Sequence, residues 1–127
     1  MKYVCLGYYD AETMDALPAS ELDAVMSQCG PHVQSFYRTG QVAIDAGLAP
    51  ETKVLRNVHG KVQVTDGRHA ESKTMLGSVS IIEARDIDEA VQLASLHPSP
   101  RIPGGAAFGW AMEVRPIHHF FESPGKG

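Results

Sequence analysis

Six histidines are the side chains of this sequence best suited to acid–base chemistry. His32 lies at the edge of an apolar stripe with helical spacing, directly after Gly30-Pro31. An imidazole titrates near neutral pH, so His32 is a candidate general base if it faces a pocket between a helix and a sheet. The alternative is a half-buried histidine whose ring is satisfied by a backbone carbonyl.

His97 is the second catalytic candidate and follows the second predicted helix. At that position it can bond to the last carbonyls of the helix, where the helix dipole also favours a cation. The alternative is that His97 faces His32, so that the two rings share a proton or hold an anionic ligand.

A third candidate is the polar stretch Asp66-Gly67-Arg68-His69. Asp-Gly favours a turn, because aspartate bonds to nearby amides and glycine accepts positive φ. Arg68 and His69 add a cation and a titratable ring, so a small organic acid is a candidate ligand for Asp66, Arg68 and His69. Solvated surface is the alternative.

Metal and cofactor sites are not expected. Cys5 and Cys29 lack C-x-x-C spacing, and we expect both to be buried, reduced thiols. His118 and His119 are adjacent, so in an extended chain they point to opposite faces and do not jointly bind one metal. Gly104-Gly105 lacks the strand and helix context of a dinucleotide-binding motif, and no cofactor is predicted.

Composition narrows the class of protein. The chain has 127 residues, 43% of them hydrophobic, which suits one globular core. Eleven basic and fifteen acidic residues give a net charge of −4, and no basic cluster favours nucleic acid. No apolar run approaches the roughly 20 residues of a membrane span, and the start does not resemble a signal peptide. We therefore expect a cytoplasmic protein without nucleic-acid or membrane partners.

The first half of the chain predicts a strand, a helix and a second strand. Residues 2–9 alternate like a strand and end in the polar stretch 10–15. Ser20 with Asp23 resembles a capping box, and apolar residues at helical spacing continue to Thr39-Gly40. Gly30-Pro31 predicts a kink in one bent helix. Residues 42–48 predict the second strand.

The second half predicts a hairpin, two strands and a helix. Residues 53–57 and 61–65 are predicted to form the hairpin, with a three-residue loop at 58–60. Residues 77–84 are predicted to form the central strand. Asp86 is expected to cap a helix that Pro98 stops, before a loop over 98–105. A last strand ends at Pro116, so we divide the chain into a domain, 1–117, and a tail, 118–127.

Without the hairpin the order is β, α, β, β, α, β, which is the ferredoxin-like (split βαβ) α+β arrangement with two helices on one face of a four-stranded antiparallel sheet. The other face should be polar if it meets water. Instead the strands carry apolar residues on both sides, such as Tyr3 and Cys5 opposite Val4 and Leu6. This pattern predicts a homodimer packed sheet against sheet.

A series of short motifs resembles the YCII-related domain family, and within it the DGPF subgroup. The motifs are Val64-Thr65-Asp66-Gly67, Ala70-Glu71-Ser72-Lys73, Leu76-Gly77, Ile81-Ile82-Glu83, Asp88-Glu89-Ala90, His97-Pro98, Gly104-Gly105 and Glu113-Val114-Arg115-Pro116-Ile117. The resemblance runs from about residue 2 to 117. Arg68-His69 stands where the subgroup has Pro-Phe.

The resemblance implies a ferredoxin-like fold that dimerises into an α/β barrel. A related branch resembles small lyases or dehydrochlorinases with a His/Asp pair, and some relatives of the subgroup are linked with alternative sigma factors. His32 matches the histidine of that pair, whereas His97 stands at the aspartate position. The functions to be tested are therefore a lyase- or hydrolase-like enzyme or ligand-binding protein, and a non-catalytic dimeric regulatory module.

Overall fold

A computed structural model describes residues 1–67 and 73–125 of the chain. Its main sheet contains β1 (Lys2–Asp10), β2 (Val42–Gly47), β5 (Thr74–Glu83) and β6 (Ala111–Pro116). These strands pair in the order β2-β5-β1-β6, and every neighbouring pair is antiparallel. The predicted α+β class and the four-stranded ferredoxin-like sheet are therefore confirmed.

Helices cover one face of this sheet. They are α1 (Ala11–Asp15), α2 (Ala19–Ser27), α3 (Cys29–Tyr37), α4 (Ile87–Ala94) and α5 (Pro98–Arg101), with a 3₁₀ turn at Gly105–Phe108. Tyr3, Cys5 and Ile82 of the sheet form the buried core with Phe36 of α3 and the α4 residues Ala90, Leu93 and Ala94. Burial of these apolar side chains holds the helices on the sheet.

The predicted single bent helix is two helices, α2 and α3, joined through Gln28. Pro31 is the physical reason, because it has no N–H to donate to the carbonyl of Ser27 four residues earlier. The break lies at that carbonyl rather than at Gly30. The expected cap at Ser20 was also wrong, since Pro18 occupies the N-cap position and makes no side-chain cap bond.

Two other caps behave as the sequence indicates. Asp86 Oδ1 accepts a hydrogen bond from the Glu89 amide at 2.8 Å and so begins α4. After α3, Gly40 has φ +72°, and its amide donates to the carbonyl of Tyr37 at 3.2 Å. These local signals act over three or four residues, which explains why they can be read from the sequence.

The other differences are short helical segments where loops were expected. Asp10 Oδ1 accepts from the Thr13 amide at 3.2 Å and caps α1 within the predicted polar turn. The predicted loop after Pro98 contains α5 and the 3₁₀ turn, because Pro98 suits the first position of a helix and His97 caps it.

β3 (Lys53–Val58) and β4 (Lys61–Asp66) form a separate two-stranded ribbon. Val58 pairs with Lys61, so the turn consists of His59 and Gly60 alone and is shorter than the predicted three-residue loop. Both turn residues have positive φ, 52° and 82°, as a tight hairpin with right-handed strand twist requires.

The sheet face opposite the helices carries an apolar patch, which we call the back face. Its members are Val4 and Leu6 of β1, Ile44 and Ala46 of β2, and Val79 and Ile81 of β5, which lie opposite one another in the strand register. Ile44 is 56% exposed. No helix in the described ranges is long and apolar enough to span a bilayer.

Candidate functional site

A cavity of about 400 Å³ lies between the helices and one end of the sheet. Most of its lining side chains are apolar or aromatic, among them Met14, Met26, Val33, Leu48 and Trp110. The volume falls within the roughly 300–1,000 Å³ typical of small-molecule pockets. The cavity is therefore large enough for a compact organic ligand.

Asp45 brings a carboxylate to this largely apolar cavity. It lies in β2 opposite Ser80 of β5, and its Oδ1 accepts a hydrogen bond from the Ser80 hydroxyl at 2.8 Å. The Tyr37 hydroxyl donates to Oδ2. Because a side chain of each neighbouring element holds one oxygen, the carboxylate is fixed in position at the cavity wall.

His97 is held by its own backbone neighbourhood. The Ser99 amide donates to Nδ1 at 3.0 Å, and the Phe36 ring meets the imidazole edge-on at a centroid distance of 5.4 Å. Since Nδ1 accepts, the proton of the neutral ring resides on Nε2. His97 thus presents an N–H donor, not a free lone pair.

This role corrects the sequence interpretation of His97 as a cap of the preceding helix. α4 ends at Ala94, and His97 instead occupies the N-cap position of α5. An amide at a helix N-terminus needs an acceptor, and a neutral imidazole nitrogen supplies one. A cationic ring has no acceptor at Nδ1, so this bond favours the neutral form.

Burial and charge act on His97 in opposite directions. Burial lowers its pKa from the ordinary value of 6.5, while the negative charge of Asp45 raises it by a smaller amount. The net result is a neutral ring at pH 7 beside a carboxylate. A donor and a proton acceptor therefore stand close together at one apolar cavity.

Two further features lie beside His97. Ser99 lines the cavity, and its Oγ is shielded from solvent without a hydrogen-bond partner in the described parts of the chain. Trp110 lies against Gly105, where an added Cβ would come within 2.9 Å of the indole ring. The indole N–H donates to the sulfur of Met14 at 3.4 Å and so joins the residue before β6 to α1.

Thiolate chemistry is not favoured at this site. Cys29 lines the cavity and burial raises its pKa, while burial and the charge of Asp45 raise the pKa of Cys5 to about 11. Both cysteines are free thiols; Cys5 is buried as predicted, whereas Cys29 is only partly buried. At neutral pH they are protonated and therefore weak nucleophiles.

The structure separates the predicted site residues. His97 lines the cavity, whereas His32 is a half-buried residue of α3 that does not belong to the lining. Asp66 ends β4, accepts a hydrogen bond from Lys53 and is largely exposed, away from the cavity. Arg68 and His69 lie outside the described residues.

Sequence reasoning missed Asp45 and Ser99. Asp45 carried a weak signal, because it is the one charged residue in an otherwise apolar strand, Val42-Ala43-Ile44-Asp45-Ala46. A bulge between Val42 and Ile44 turns it toward the helices, and a bulge is not visible from alternation alone. Nothing in the sequence of the predicted loop indicated a functional role for Ser99.

The described residues contain no cluster of three or more histidine, cysteine or carboxylate side chains placed to hold a metal ion. Asp45 of β2 and His97, the N-cap of α5, would together supply at most two metal ligands. The absence of a zinc site and of a cofactor remains a prediction from the sequence.

Comparison with known proteins identifies the fold family. The YCII-related domain matches residues 1–117 of the chain. No curated protein matches the chain.

One similar solved structure is the 5-chloro-2-hydroxyhydroquinone dehydrochlorinase of Burkholderia phenoliruptrix AC1100, in complex with 2,5-dihydroxybenzoquinone. The likeness has a TM-score of 0.51 at 14% sequence identity and covers 94% of this chain and 96% of that protein. At this identity the likeness concerns the fold.

Proposed function

This chain belongs to the YCII-related domain family, and we propose that its cavity binds a small, weakly acidic, hydroxylated ring compound and moves a proton on it. The observation that carries the proposal is the convergence of His97 and Asp45 on one apolar cavity of about 400 Å³. A planar ring fits the aromatic and methionine-rich walls, and its oxygen substituents match the two polar groups.

The hydrogen bonds of His97 and Asp45 indicate which of them donates to the ligand and which accepts from it. The Nε2–H of His97 donates to an oxygen on the ring, and the Asp45 carboxylate accepts the proton of a hydroxyl group. The imidazole N–H then stabilises the negative charge left on oxygen, and this stabilisation is strong where water is excluded. Proton removal of this kind is the first step of an elimination, so the proposed class is lyase-like.

Ligand binding tests this proposal with two matched histidine variants. His97→Asn keeps an acceptor at the position of Nδ1 and so preserves the cap of α5, but it removes the Nε2 donor. His32→Asn removes the imidazole that lies outside the cavity lining. Isothermal titration with 2,5-dihydroxybenzoquinone and with phenol should show binding to the wild type and to His32→Asn.

We expect His97→Asn to weaken binding about tenfold or more, because a hydrogen bond to an ionised ligand oxygen is lost at a largely apolar cavity wall. Equal binding by His97→Asn and wild type would overturn the assignment of His97. If only His32→Asn loses ligand binding, the ligand-binding histidine would be His32, the residue that the family resemblance favours.

We further propose that the functional unit is a homodimer in which the back faces of two chains pack together. The support is the apolar patch of six side chains on a sheet face that no helix of the described chain covers. Exposed apolar patches beyond a few hundred Å² are uncommon on monomers. The DGPF subgroup assignment, which rests on the motifs from Val64 to Ile117, is consistent with such a dimer.

The same back face favours a second candidate, a non-catalytic dimeric module that binds a regulatory protein, with the alternative sigma factors of the resemblance as one class of partner. In that case the cavity has no ligand to bind. Failure of all ring compounds to bind, together with a stable dimer in solution, would favour this candidate over the enzyme.

A further inference from the structure

We infer that Ser99 Oγ is a third ligand-binding group of the cavity, beside His97 and Asp45, and selects ring compounds with two oxygen substituents over those with one. The inference rests on the proposed function of the cavity and adds a specificity residue to it. Ser99 stands two residues after His97 and lines the same cavity.

The unpaired hydroxyl is the first observation. Ser99 Oγ is buried to less than 1 Å² of accessible surface and has no hydrogen-bond partner in the described ranges. A buried hydroxyl without a partner costs folding free energy, and such groups are uncommon unless a function retains them. A ligand oxygen in the cavity would supply the missing partner after rotation about the single χ1 bond of serine.

The other serines near the site are already paired or packed. Ser80 Oγ donates to Asp45 at 2.8 Å, and Ser78 packs over Gly7, where an added Cβ would lie 2.2 Å from its hydroxyl. Ser99 alone among these three combines burial with a hydroxyl that lacks a partner in the described chain.

The backbone of Ser99 also fixes the neighbouring donor. Its amide donates to His97 Nδ1 at 3.0 Å, which directs the imidazole proton to Nε2. Ser99 therefore fixes the His97 donor and supplies a further polar contact. The first oxygen substituent of a ring meets His97 and Asp45, and a second substituent supplies the partner that Ser99 Oγ lacks.

A selectivity measurement tests the inference with Ser99→Ala. Phenol is compared by isothermal titration with catechol, resorcinol and hydroquinone, which place the second hydroxyl at three different spacings. We expect the wild type to bind the best of these three diols about three- to tenfold more tightly than phenol, the effect of one neutral hydrogen bond in a buried site. In Ser99→Ala this ratio should approach one, with phenol binding unchanged.

Ser95→Ala is the matched control, because the Ser95 hydroxyl is exposed and bonds to the carbonyl of Val91 at 2.6 Å, away from the cavity lining. It should keep the wild-type ratio. An unchanged ratio in Ser99→Ala would overturn the inference while leaving the proposed function intact. A wild type that binds neither phenol nor any diol would overturn both.

Thermal stability supplies an independent readout. Ser99→Ala removes an unpaired buried hydroxyl, so its melting temperature should equal or exceed that of the wild type. Ser80→Ala removes a paired one and should melt at a lower temperature. A Ser99→Ala protein that melts several degrees below the wild type would show that Oγ has a structural partner, which contradicts the inference.

Discussion

At the scale of single residues, His97 combines a structural and a chemical role. Its Nδ1 accepts from the amide of Ser99 and begins α5, and the same bond places the proton on Nε2 beside the cavity. The cap therefore does more than stabilise a short helix, since it selects the tautomer. Asp45 is fixed in a similar way, by hydroxyl donors from Tyr37 and Ser80.

The lowered pKa of His97 predicts an acid-sensitive fold. Burial places this pKa below the ordinary 6.5, so the unfolded chain binds a proton more readily than the folded chain. The contribution of the neutral ring to the free energy of unfolding is complete above about pH 6.5. It is lost as the pH falls toward the folded-state pKa. His97→Asn keeps the cap but does not titrate, so its free energy of unfolding should depend less on pH in this window.

Urea denaturation at about pH 7 and pH 5 measures the difference. The wild type should lose more free energy of unfolding than His97→Asn on acidification. Identical losses in the two proteins would mean that His97 has the same pKa in the folded and unfolded states, against the burial that the structure describes.

At the scale of elements, the β1–β5 pair shapes the cavity through one irregularity. Gly7 pairs with Ser78 and Tyr8 with Leu76, so Gly77 is left as an extra residue in β5. The Tyr9 ring lies over Gly77, and an added Cβ would come within 2.7 Å of it. Glycine at this position lets the aromatic ring pack closely against the backbone at the cavity wall.

Gly77→Ala should therefore destabilise the fold by about 1–3 kcal/mol, the usual cost of forcing an extra methyl into a packed site. Gly47→Ala is the control, because a Cβ there meets no atom within 4 Å. Denaturant midpoints measure both effects. If the clash with Tyr9 is the cause, Gly77→Ala should lower the free energy of unfolding by less in a Tyr9→Leu background than in the wild type. An equal loss in both backgrounds would show that the Tyr9 ring is not the cause.

The elements that the sequence predicted well are those whose signals are local. Alternation identified the four strands of the sheet, and Asp86 and Gly40 marked helix ends through bonds spanning three residues. The exact break at Ser27, the α5 turn and the bulge before Ile44 depend on tertiary context. Asp45 was missed for this reason, since only the bulge and the pairing with Ser80 place it at the cavity.

At the scale of the whole molecule, the two faces of the sheet differ in what covers them. α3 and α4 bury one face around Phe36 and Ile82, and the back face bears Val4, Leu6 and Ile81. The proposed dimer would bury this patch, of which Ala46 alone also lines the cavity. Ligand binding should therefore depend little on association.

Sedimentation equilibrium tests the dimer. The wild type should have twice the 13.7 kDa mass of the chain, and Ile44→Asp should shift it toward the monomer, because a charge would be buried at the interface. Val91→Asp is the control, since Val91 is 48% exposed on α4 of the helix-covered side. A wild-type monomer at micromolar concentration would contradict the proposed assembly.

The state of the His97 ring, observed by two-dimensional NMR of protein labelled with ¹⁵N-histidine, tests the proposed site most directly. At neutral pH Nδ1 should be the unprotonated nitrogen and Nε2 should carry the proton, and phenol or 2,5-dihydroxybenzoquinone should shift the Nε2 signal of His97 while the His32 signals stay in place. A protonated Nδ1, or a ligand that binds without moving His97, would contradict it.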